Sequence, residues 1–296
     1  MSRRWTQAAL ELDPVSDHGQ RWRDRSFTWQ AERYGAFRPE LYGVKAISEG
    51  DGKAFVKQHH YSGSYPSTRL PGLDDAQFGL FDLSDPARER LVGVAAFARP
   101  TNDASLANVF PGLDPGVQSV VLGRFVLLDE IPHGGETATL REVFRLAGEQ
   151  GVRGVLAYAD PVARFTAAGQ MVFAGHRGTI YRAHNGTYLG RTSPRLEWLL
   201  PDATVVQERG LQKVRKGERG ARATEQLLVA RGASERRPGQ CRREWIAQAL
   251  REVCARQVPH GGKHKFAWAV GPRGHRSQVT ITGPFTDFPK GATSHG

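Results

Sequence analysis

The chain has 296 residues, a net charge of +11 and a mean hydropathy of −0.47. Its 39% hydrophobic and 24% charged residues are the balance of a folded globular protein and exclude general disorder. No stretch approaches the roughly 20 apolar residues that span a bilayer, and the N-terminus lacks the apolar core of a secretory signal. Two cysteines are also too few for a disulfide framework. We therefore expect a cytoplasmic protein without membrane association.

The first part of the chain predicts an arm followed by a helix and paired strands. Residues 1–39 mix tryptophans and charges with no clear period, which indicates an irregular arm packed on the body. Gly50 and Gly52 are expected to close the first strand. The elements are, in order, a strand at 42–48, a short helix at 53–61, paired strands at 76–83 and 90–98, and a long loop at 101–116.

The most informative stretch predicts a strand–helix–strand crossover. Residues 118–130 are an apolar run rich in Val and Leu, as expected of a strand buried on both faces. A glycine-bearing loop at 131–135 leads into a helix at 136–151 with an apolar stripe, and 152–161 is a second buried strand. This order is typical of a parallel βαβ unit.

The remainder of the chain predicts shorter elements. Its parts are a weak helix at 163–175, a hairpin at 179–191 around Asn185-Gly186, a strand at 195–200, glycine-interrupted helices at 205–233, a helix at 244–258, a short strand or extended segment at 264–271, and a last strand with a frayed end.

The positive charge is concentrated in the last part of the chain. Residues 205–296 contain 18 Lys and Arg against 7 Asp and Glu, whereas residues 1–204 contain 23 of each. A neutral body with a basic C-terminal region indicates a polyanionic partner, usually nucleic acid. A solvated tail or a coding bias toward arginine would give the same composition.

Three clusters carry groups suited to chemistry. The loop at 131–135 could aim backbone N–H groups at phosphate, or could be an ordinary strand–helix connection. Residues 57–67, KQHHYSGSYPS, concentrate proton-handling groups, although a single histidine is more often a packing residue. Asp160 follows a buried strand, where ligands collect in open α/β sheets, or could cap the next helix.

Together these clusters resemble the Mom family of phage DNA-modification proteins, which are divergent relatives of the GCN5-type N-acetyltransferases (GNATs). The resemblance covers roughly residues 42–200 and rests on HHYSGSYP, LVGVAAF, VVLGRFVLLDE, VLAYADP and GTIYRAHNGTYLGR. It implies an α/β fold with a mixed, mostly antiparallel central sheet flanked by helices. We therefore expect a GNAT-like catalytic domain at 40–205, between the arm at 1–39 and a basic helical extension at 206–296 that contacts nucleic acid.

The family places a carbamoylmethyl group on the exocyclic N6 of adenine in duplex DNA and so protects phage DNA from restriction. The resemblance implies a transferase in a phage-infected or prophage-bearing bacterium. Its partners would be double-stranded DNA with a flipped adenine and an acyl-CoA-like donor such as acetyl-CoA. Iron has also been linked with the family.

Residues matching the family's site are carried over one by one. The resemblance implies catalytic roles for His60, Tyr61, Ser62, Arg124 and Asp160. It implies cofactor contacts from Val126, Leu128, Gly134, Gly135 and Glu136, although Pro-His-Gly-Gly departs from the usual acetyltransferase turn. Iron, if used, would be held by His60, Tyr61 and Asp160.

The DNA contacts are expected on aromatic and basic side chains. Tyr65 and Phe97 are predicted to offer stacking surfaces for the flipped base. The cations expected at phosphates are Lys213, Arg215, Lys216, Arg219, Arg242, Arg243, Lys263 and Lys265.

Two other functions are compatible with the residues. A GCN5-like, acetyl-CoA-dependent N-acetyltransferase acting on a small amine or a protein lysine needs only thioester chemistry, but leaves the basic region unexplained. A non-catalytic DNA-binding protein would use the basic region and keep the pocket only as a vestige.

Overall fold

The computed structural model describes residues 20–29, 35–100 and 102–289. Their contacts divide into two compact units. The helical unit consists of residues 162–175 and 193–262, and the sheet unit of the other described residues. Residues 1–19 of the predicted arm and the predicted frayed end from 290 lie outside the described residues.

The strands, in chain order, are β1 (Gln20–Arg23), β2 (Ser26–Trp29), β3 (Tyr42–Ala46), β4 (Gln77–Asp82), β5 (Arg90–Ala98), β6 (Ser119–Leu127), β7 (Gly154–Ala159), β8 (Arg164–Phe165), β9 (Met171–Phe173), β10 (Thr187–Arg191), β11 (Arg195–Leu199), β12 (Val205–Val206), β13 (Arg256–His260) and β14 (His264–Ala269). The helices are α1 (Glu49–His59), α2 (Ala104–Ala107), α3 (Gly135–Glu149), α4 (Thr179–Ala183), α5 (Glu208–Lys216), α6 (Ala221–Val229), α7 (Arg242–Glu252) and α8 (Arg273–Arg276), and Pro39–Leu41 form a 3₁₀ turn.

A seven-stranded sheet forms the centre of the sheet unit, in the spatial order β10-β14-β7-β6-β5-β4-β3. Within it β6 and β7 are parallel, and the other neighbouring strands are antiparallel. The predicted fold class, an α/β protein with a mixed, mostly antiparallel central sheet, is therefore confirmed.

The predicted βαβ crossover is present as β6, α3 and β7. Both strands are largely buried, because α3 covers one face and the segment containing Leu106 and Phe110 covers the other. On α3 the predicted apolar stripe is buried, at Leu140, Val143, Phe144 and Ala147. The burial of this stripe fixes the turn before α3 and the end of β7.

Helix α1 begins earlier than predicted. Gly50 and Gly52, expected to close the strand, lie inside the helix. The Ser48 side chain caps the helix by accepting the Asp51 N–H at 3.1 Å, which satisfies a donor that a helix start otherwise leaves open. Gly52 is also a close-packing position, because a Cβ there would lie 2.9 Å from the Tyr65 hydroxyl.

Several short elements differ from their predictions. The weak helix predicted at 163–175 is the β8–β9 hairpin, and the hairpin predicted at 179–191 is α4 followed by β10. Asn185, at φ +57°, ends α4 and lets the Gly186 N–H donate to the Tyr181 carbonyl at 2.8 Å. The Asn-Gly pair is thus a helix termination signal and not a hairpin turn. The loop at 101–116 contains α2, and the predicted last strand is replaced by α8 within the described residues.

Strand β14 lies where the sequence predicts a strand, but its neighbours were not foreseen. It pairs with β7 on one side and β10 on the other, with Lys265 opposite Tyr158. The predicted extension at 206–296 therefore supplies a strand of the central sheet, and the boundary at 205 does not coincide with the division into units.

The helical unit has its own core. The strand predicted at 195–200 forms as β11, but it pairs with β12 and β13 in this unit. Helices α5, α6 and α7 pack around Leu211, Leu228 and the almost fully buried Trp245. Along the described stretches, none of the helices is both long and apolar enough to cross a bilayer.

Candidate active site

The candidate site lies where β6 and β7 stop pairing. Ser119 to Leu122 of β6 pair with Gly154 to Ala157 of β7, yet β6 continues to Leu127 and β7 to Ala159. At this point β6 carries a bulge at Gly123, because Phe97 pairs with Leu122 and Ala96 with Arg124. A Cβ on Gly123 would lie 2.8 Å from Ala98 Cβ, so the bulge requires glycine.

Helix α1 delivers the histidine–tyrosine cluster to this point. The helix ends at His59, His60 leaves it in extended conformation, and a turn follows in which the Gly63 N–H donates to the His60 carbonyl at 3.0 Å. The rings of Trp22, His60 and Tyr61 pack together, with centroids of Trp22 and His60 5.8 Å apart and those of His60 and Tyr61 4.3 Å apart. Trp22 and His60 are buried, whereas Tyr61 is partly exposed. His59 instead packs on Phe55.

A chain of hydrogen bonds connects Arg124 to His60. Arg124 Nη2 donates to Ser64 Oγ at 2.7 Å, and Arg124 Nε donates to the Ser64 carbonyl at 3.0 Å. Ser64 Oγ donates to Ser62 Oγ at 3.2 Å, and Ser62 Oγ lies 2.9 Å from His60 Nδ1. Three of the predicted catalytic residues, His60, Ser62 and Arg124, are thus joined through Ser64.

The contacts of His60 define its protonation state. The Ser62 backbone N–H donates to His60 Nδ1 at 3.2 Å, so Nδ1 is an acceptor and the proton of the neutral ring is on Nε2. Burial, aided by the charge of Arg124, holds the pKa of His60 well below its usual value. His60 is therefore a neutral ring that offers Nε2–H to a ligand.

Asp160 lies directly after β7 and is buried beside a lysine. Its side chain is 4% exposed, and its Oδ2 lies 3.7 Å from Lys263 Nζ. Lys263 comes directly before β14, the strand that pairs with β7. The position predicted to hold DNA phosphate thus belongs to the same cluster as Asp160.

His176 contacts both Asp160 and Tyr181. The backbone N–H of His176 donates to the backbone carbonyl of Asp160 at 2.7 Å. Burial lowers the pKa of His176 to about 4, although the Asp160 carboxylate acts in the opposite direction. The Tyr181 ring lies 6.1 Å from that of His176, and burial together with Tyr61 raises the pKa of its phenol.

The predicted acyl-CoA turn is filled by side chains of the protein. Arg21, fully buried, forms an ion pair with Glu136 and donates to the Ile131 and Pro132 carbonyls at 3.2 Å each. Gly134 has φ +90°, and Phe37 packs on Gly134 and Gly135.

These contacts do not fit a bound pyrophosphate at this turn. The first turn of α3 already carries the buried carboxylate of Glu136, which would repel a phosphate at the positive end of the helix. Val126 and Leu128, predicted to line pantetheine, are 1% and 4% exposed. We therefore derive no step through CoA at this position.

The contacts of the predicted iron ligands likewise do not fit a bound metal ion. In the described part of the chain, no group of three or more His, Cys, Asp and Glu side chains is placed to hold a metal ion. His60 uses Nδ1 for Ser62, and the Lys263 ammonium lies beside the Asp160 carboxylate. A cation next to the proposed ligand opposes a second cation there.

The remaining predicted residues have separate surroundings. Phe97 is fully buried in the core, so its prediction as a stacking surface is wrong. The Tyr65 ring is partly exposed, and burial raises the pKa of its phenol to about 12. Lys265 lies on β14, and the other predicted DNA contacts lie in the helical unit, at Lys213, Arg215, Lys216, Arg219, Arg242 and Arg243.

Five residues of the cluster were not assigned to it from sequence, namely Trp22, Ser64, His176, Tyr181 and Lys263. Ser64 was within reach of prediction, since it stands two residues after Ser62 in the motif at 57–67. Lys263 and His176 could not be placed, because their proximity to Asp160 depends on the neighbours of β7 in the sheet.

Two solved structures are similar to this chain. One is a tandem GNAT protein from the clavulanic acid biosynthesis pathway without AcCoA, with a TM-score of 0.39, 10% identity, and coverage of 78% of this chain and 99% of that one. The other is a putative acetyltransferase from Pyrococcus horikoshii, with a TM-score of 0.33, 10% identity, and coverage of 86% and 98%. Both TM-scores are below 0.5, so these similarities carry no argument about activity.

No curated protein matched the chain. The profile of the Mom protein family matches residues 41–243, which include all the predicted catalytic residues. Because this match covers more than half of the sequence, the chain belongs to the Mom protein family.

Proposed function

We propose that this protein is a DNA-modifying transferase that attaches a carbamoylmethyl or related acyl-derived group to the exocyclic N6 of adenine and protects phage DNA from restriction. One observation carries the proposal. In a chain of the Mom family, the hydrogen-bonded chain from Arg124 to His60 and the Asp160–Lys263 pair both lie where β6 and β7 stop pairing.

The acceptor chemistry requires a base. The adenine N6 lone pair is delocalised into the ring, so the amine becomes an effective nucleophile only as it loses a proton. Asp160 supplies a buried carboxylate for that proton, beside the Lys263 ammonium. As the N6–carbon bond forms, the N6–H bond breaks, the proton passes to this carboxylate, and the leaving group departs from the donor with its electrons.

The other half of the site stabilises negative charge on the transferred group. His60 presents Nε2–H, since its Nδ1 is engaged by Ser62. The Arg124 cation polarises the Ser64–Ser62 hydroxyl chain that ends on His60. A preorganised donor of this kind lowers a barrier when it faces the oxygen on which charge develops.

The target base must leave the duplex to reach these groups. Flipping costs a few kcal/mol, which stacking in the pocket offsets. Tyr61 is the partly exposed ring of the Trp22–His60–Tyr61 stack and is positioned to receive the base. We propose Tyr61 in place of Phe97 as the stacking surface.

The proposal defines the donor molecule only by the chemical group that it transfers. An ordinary acetyl-CoA-dependent acetyltransferase is the less favoured function, because Arg21 and Glu136 occupy the turn that would bind pyrophosphate. Titration of the protein with acetyl-CoA in a calorimeter checks this point, and we expect no heat of binding.

Mass spectrometry of nucleosides from cells that express the protein tests the proposal. We expect a modified deoxyadenosine in cells with the wild-type chain and none with Asp160→Asn. The matched control is Asp114→Asn, which changes a carboxylate that does not belong to the cluster. Unmodified adenine in every sample, together with an acetylated host protein, would establish the acetyltransferase function instead.

A further inference from the structure

The helical unit is more basic than the rest of the chain. Its 84 residues contain 15 Lys and Arg against 8 Asp and Glu, so it carries +7 of the total net charge of +11. A compact unit with this charge and its own core has the composition of a nucleic-acid-binding module.

Several of these cations meet where α5 turns into α6. Gly217 ends α5 at φ +67°, and Gly220 precedes α6 at φ +88°. A Cβ on Gly217 would lie 2.8 Å from the guanidinium carbon of Arg242, which comes from the start of α7. A Cβ on Gly220 would lie 3.5 Å from Lys213 Nζ. We call this surface the basic turn, formed by residues 217–220 with Lys213, Lys216, Arg222, Arg242 and Arg243.

The acidic side chains of the unit are used mainly at other positions. Arg231 pairs with Asp202 at 2.8 Å, and Arg236 pairs with Glu225 at 3.1 Å. At the basic turn, the one acidic residue, Glu218, pairs with Arg209 at 2.6 Å and lies 3.9 Å from Lys216. Within the described residues, no ion pair is formed by Lys213, Arg219, Arg222, Arg242 or Arg243.

Two of these cations stand at an unfavourable place in a helix. Arg242 and Arg243 share the first turn of α7 with Glu244, and the helix dipole there favours the acidic side chain and disfavours the two arginines. The N-cap residue, Cys241, forms no side-chain capping bond that would offset them. A bound polyanion would remove both this repulsion and the repulsion among the unpaired cations.

We infer that the basic turn binds the phosphate backbone of double-stranded DNA, an inference that rests on the proposed function for the identity of the partner. Duplex DNA presents one negative charge per about 1.7 Å of its axis, which suits a cluster of unpaired cations. Arginine forks bind phosphate oxygens in pairs, and arginine predominates in this cluster.

The test compares two full-length variants that lose equal charge from the same unit. The first is Arg219→Gln/Arg222→Gln/Arg243→Gln, whose three side chains are exposed and unpaired among the described residues. The control is Arg195→Gln/Arg231→Gln/Arg251→Gln, whose exposed arginines lie outside the basic turn. Dissociation constants for a short duplex are measured by fluorescence anisotropy at several salt concentrations.

We expect the first variant to bind at least about tenfold more weakly at moderate salt. The slope of the logarithm of its binding constant against the logarithm of the salt concentration should also be shallower, by about 0.9 for each DNA phosphate that the variant no longer neutralises. The control should stay within about twofold of the wild type. Thermal unfolding serves as a folding control, and Arg243→Gln alone should leave the melting temperature unchanged or raise it.

Equal losses of affinity in both variants would overturn the inference, because bulk charge would then explain binding. Unchanged DNA affinity in the first variant would overturn it as well. So would a first variant that loses affinity for RNA or for an acidic peptide but keeps its affinity for duplex DNA. The anisotropy experiment measures DNA binding and does not depend on group transfer. The inferred DNA-binding surface is therefore supported if the first variant loses DNA affinity, even when the wild type modifies no nucleoside. In that case the proposed chemistry fails alone.

Discussion

The Lys263 ammonium lies 3.7 Å from the carboxylate of Asp160, although 103 residues separate them in the chain. Strand β14 makes this contact by pairing with β7, so that the residue before one strand meets the residue after the other. A buried carboxylate needs such a partner, since an isolated buried charge is strongly unfavourable.

This pair leads to a prediction about Lys263. We expect Lys263→Met to lower the modification rate at least about tenfold and to change its pH profile, whereas Lys263→Arg should restore part of the rate. The physical reason is that the ammonium stabilises the ionised carboxylate that accepts the proton. The control is Lys265→Met, two residues further along on β14, and an equal loss in both variants would assign Lys263 to DNA binding instead.

The hydroxyl chain leads to a prediction about Ser64. Ser64→Ala removes the side-chain link from Arg124 to Ser62 and should lower kcat about tenfold with little change in KM, because the chain polarises His60 without touching substrate. Rates are measured with duplex DNA over a range of concentrations. Ser67→Ala, an exposed serine of the same segment, is the matched control. A change in KM alone would show that Ser64 serves binding.

Two histidines with lowered pKa values, His60 and His176, predict how stability depends on pH. The pKa of His176 falls to about 4 in the folded protein, from an ordinary value of about 6.5. The unfolded chain therefore binds more protons between these values, and stability present above pH 6.5 is lost as the pH falls toward 4. His60 has a shift in the same direction and adds to the loss.

Urea unfolding at pH 7.5 and pH 5.5 checks this expectation. The free energy of unfolding should be lower at pH 5.5 than at pH 7.5 by about 1.4 kcal/mol for each such histidine, because only the interval below pH 6.5 contributes, and by less in His176→Gln. The exposed His133 gives the control His133→Gln. A wild-type protein that is equally stable at both values would contradict the burial of these rings.

The Arg21–Glu136 ion pair predicts a large and asymmetric effect of mutation. Glu136→Gln leaves a fully buried guanidinium without its counter-charge, and we expect a loss of about 3–5 kcal/mol in the free energy of unfolding. Arg21→Met combined with Glu136→Gln should cost less than the sum of the single changes.

The exposed pair Arg145–Glu142 supplies the comparison for this experiment. Glu142→Gln should leave the free energy of unfolding nearly unchanged, because solvent screens that pair. Losses of similar size at both pairs would mean that Arg21 is hydrated in solution.

The sequence was sufficient to predict the parts of the fold with strong local signals. The apolar runs of β6 and β7 and the stripe on α3 produced a correct crossover, and the stretch at 205–233 is helical with interruptions at Gly217 and Gly220, although Gly210 lies inside α5. Short elements such as β8, β9 and α4 failed, because their propensities are weak and tertiary packing decides them. At Gly186, for example, a Cβ would lie 2.7 Å from the Trp268 ring, a constraint that no local pattern reveals.

The candidate site was predictable only as separate pieces. The motif at 57–67 and Asp160 stand out in the sequence because they offer reactive side chains. The position of Lys263 beside Asp160, and the filling of the 131–136 turn by Arg21, depend on contacts between distant segments. Local spacing cannot supply such contacts.

The place of β14 in the sheet also has a consequence for how the protein is made. Ala159 pairs with His264, so a ribosome must add about 105 residues after β7 before that edge can close. At about 5–20 residues per second, the nascent chain spends several seconds with an open strand edge, the kind of surface that other chains can join. Translation speed across the intervening helical segment should therefore influence the yield of native protein.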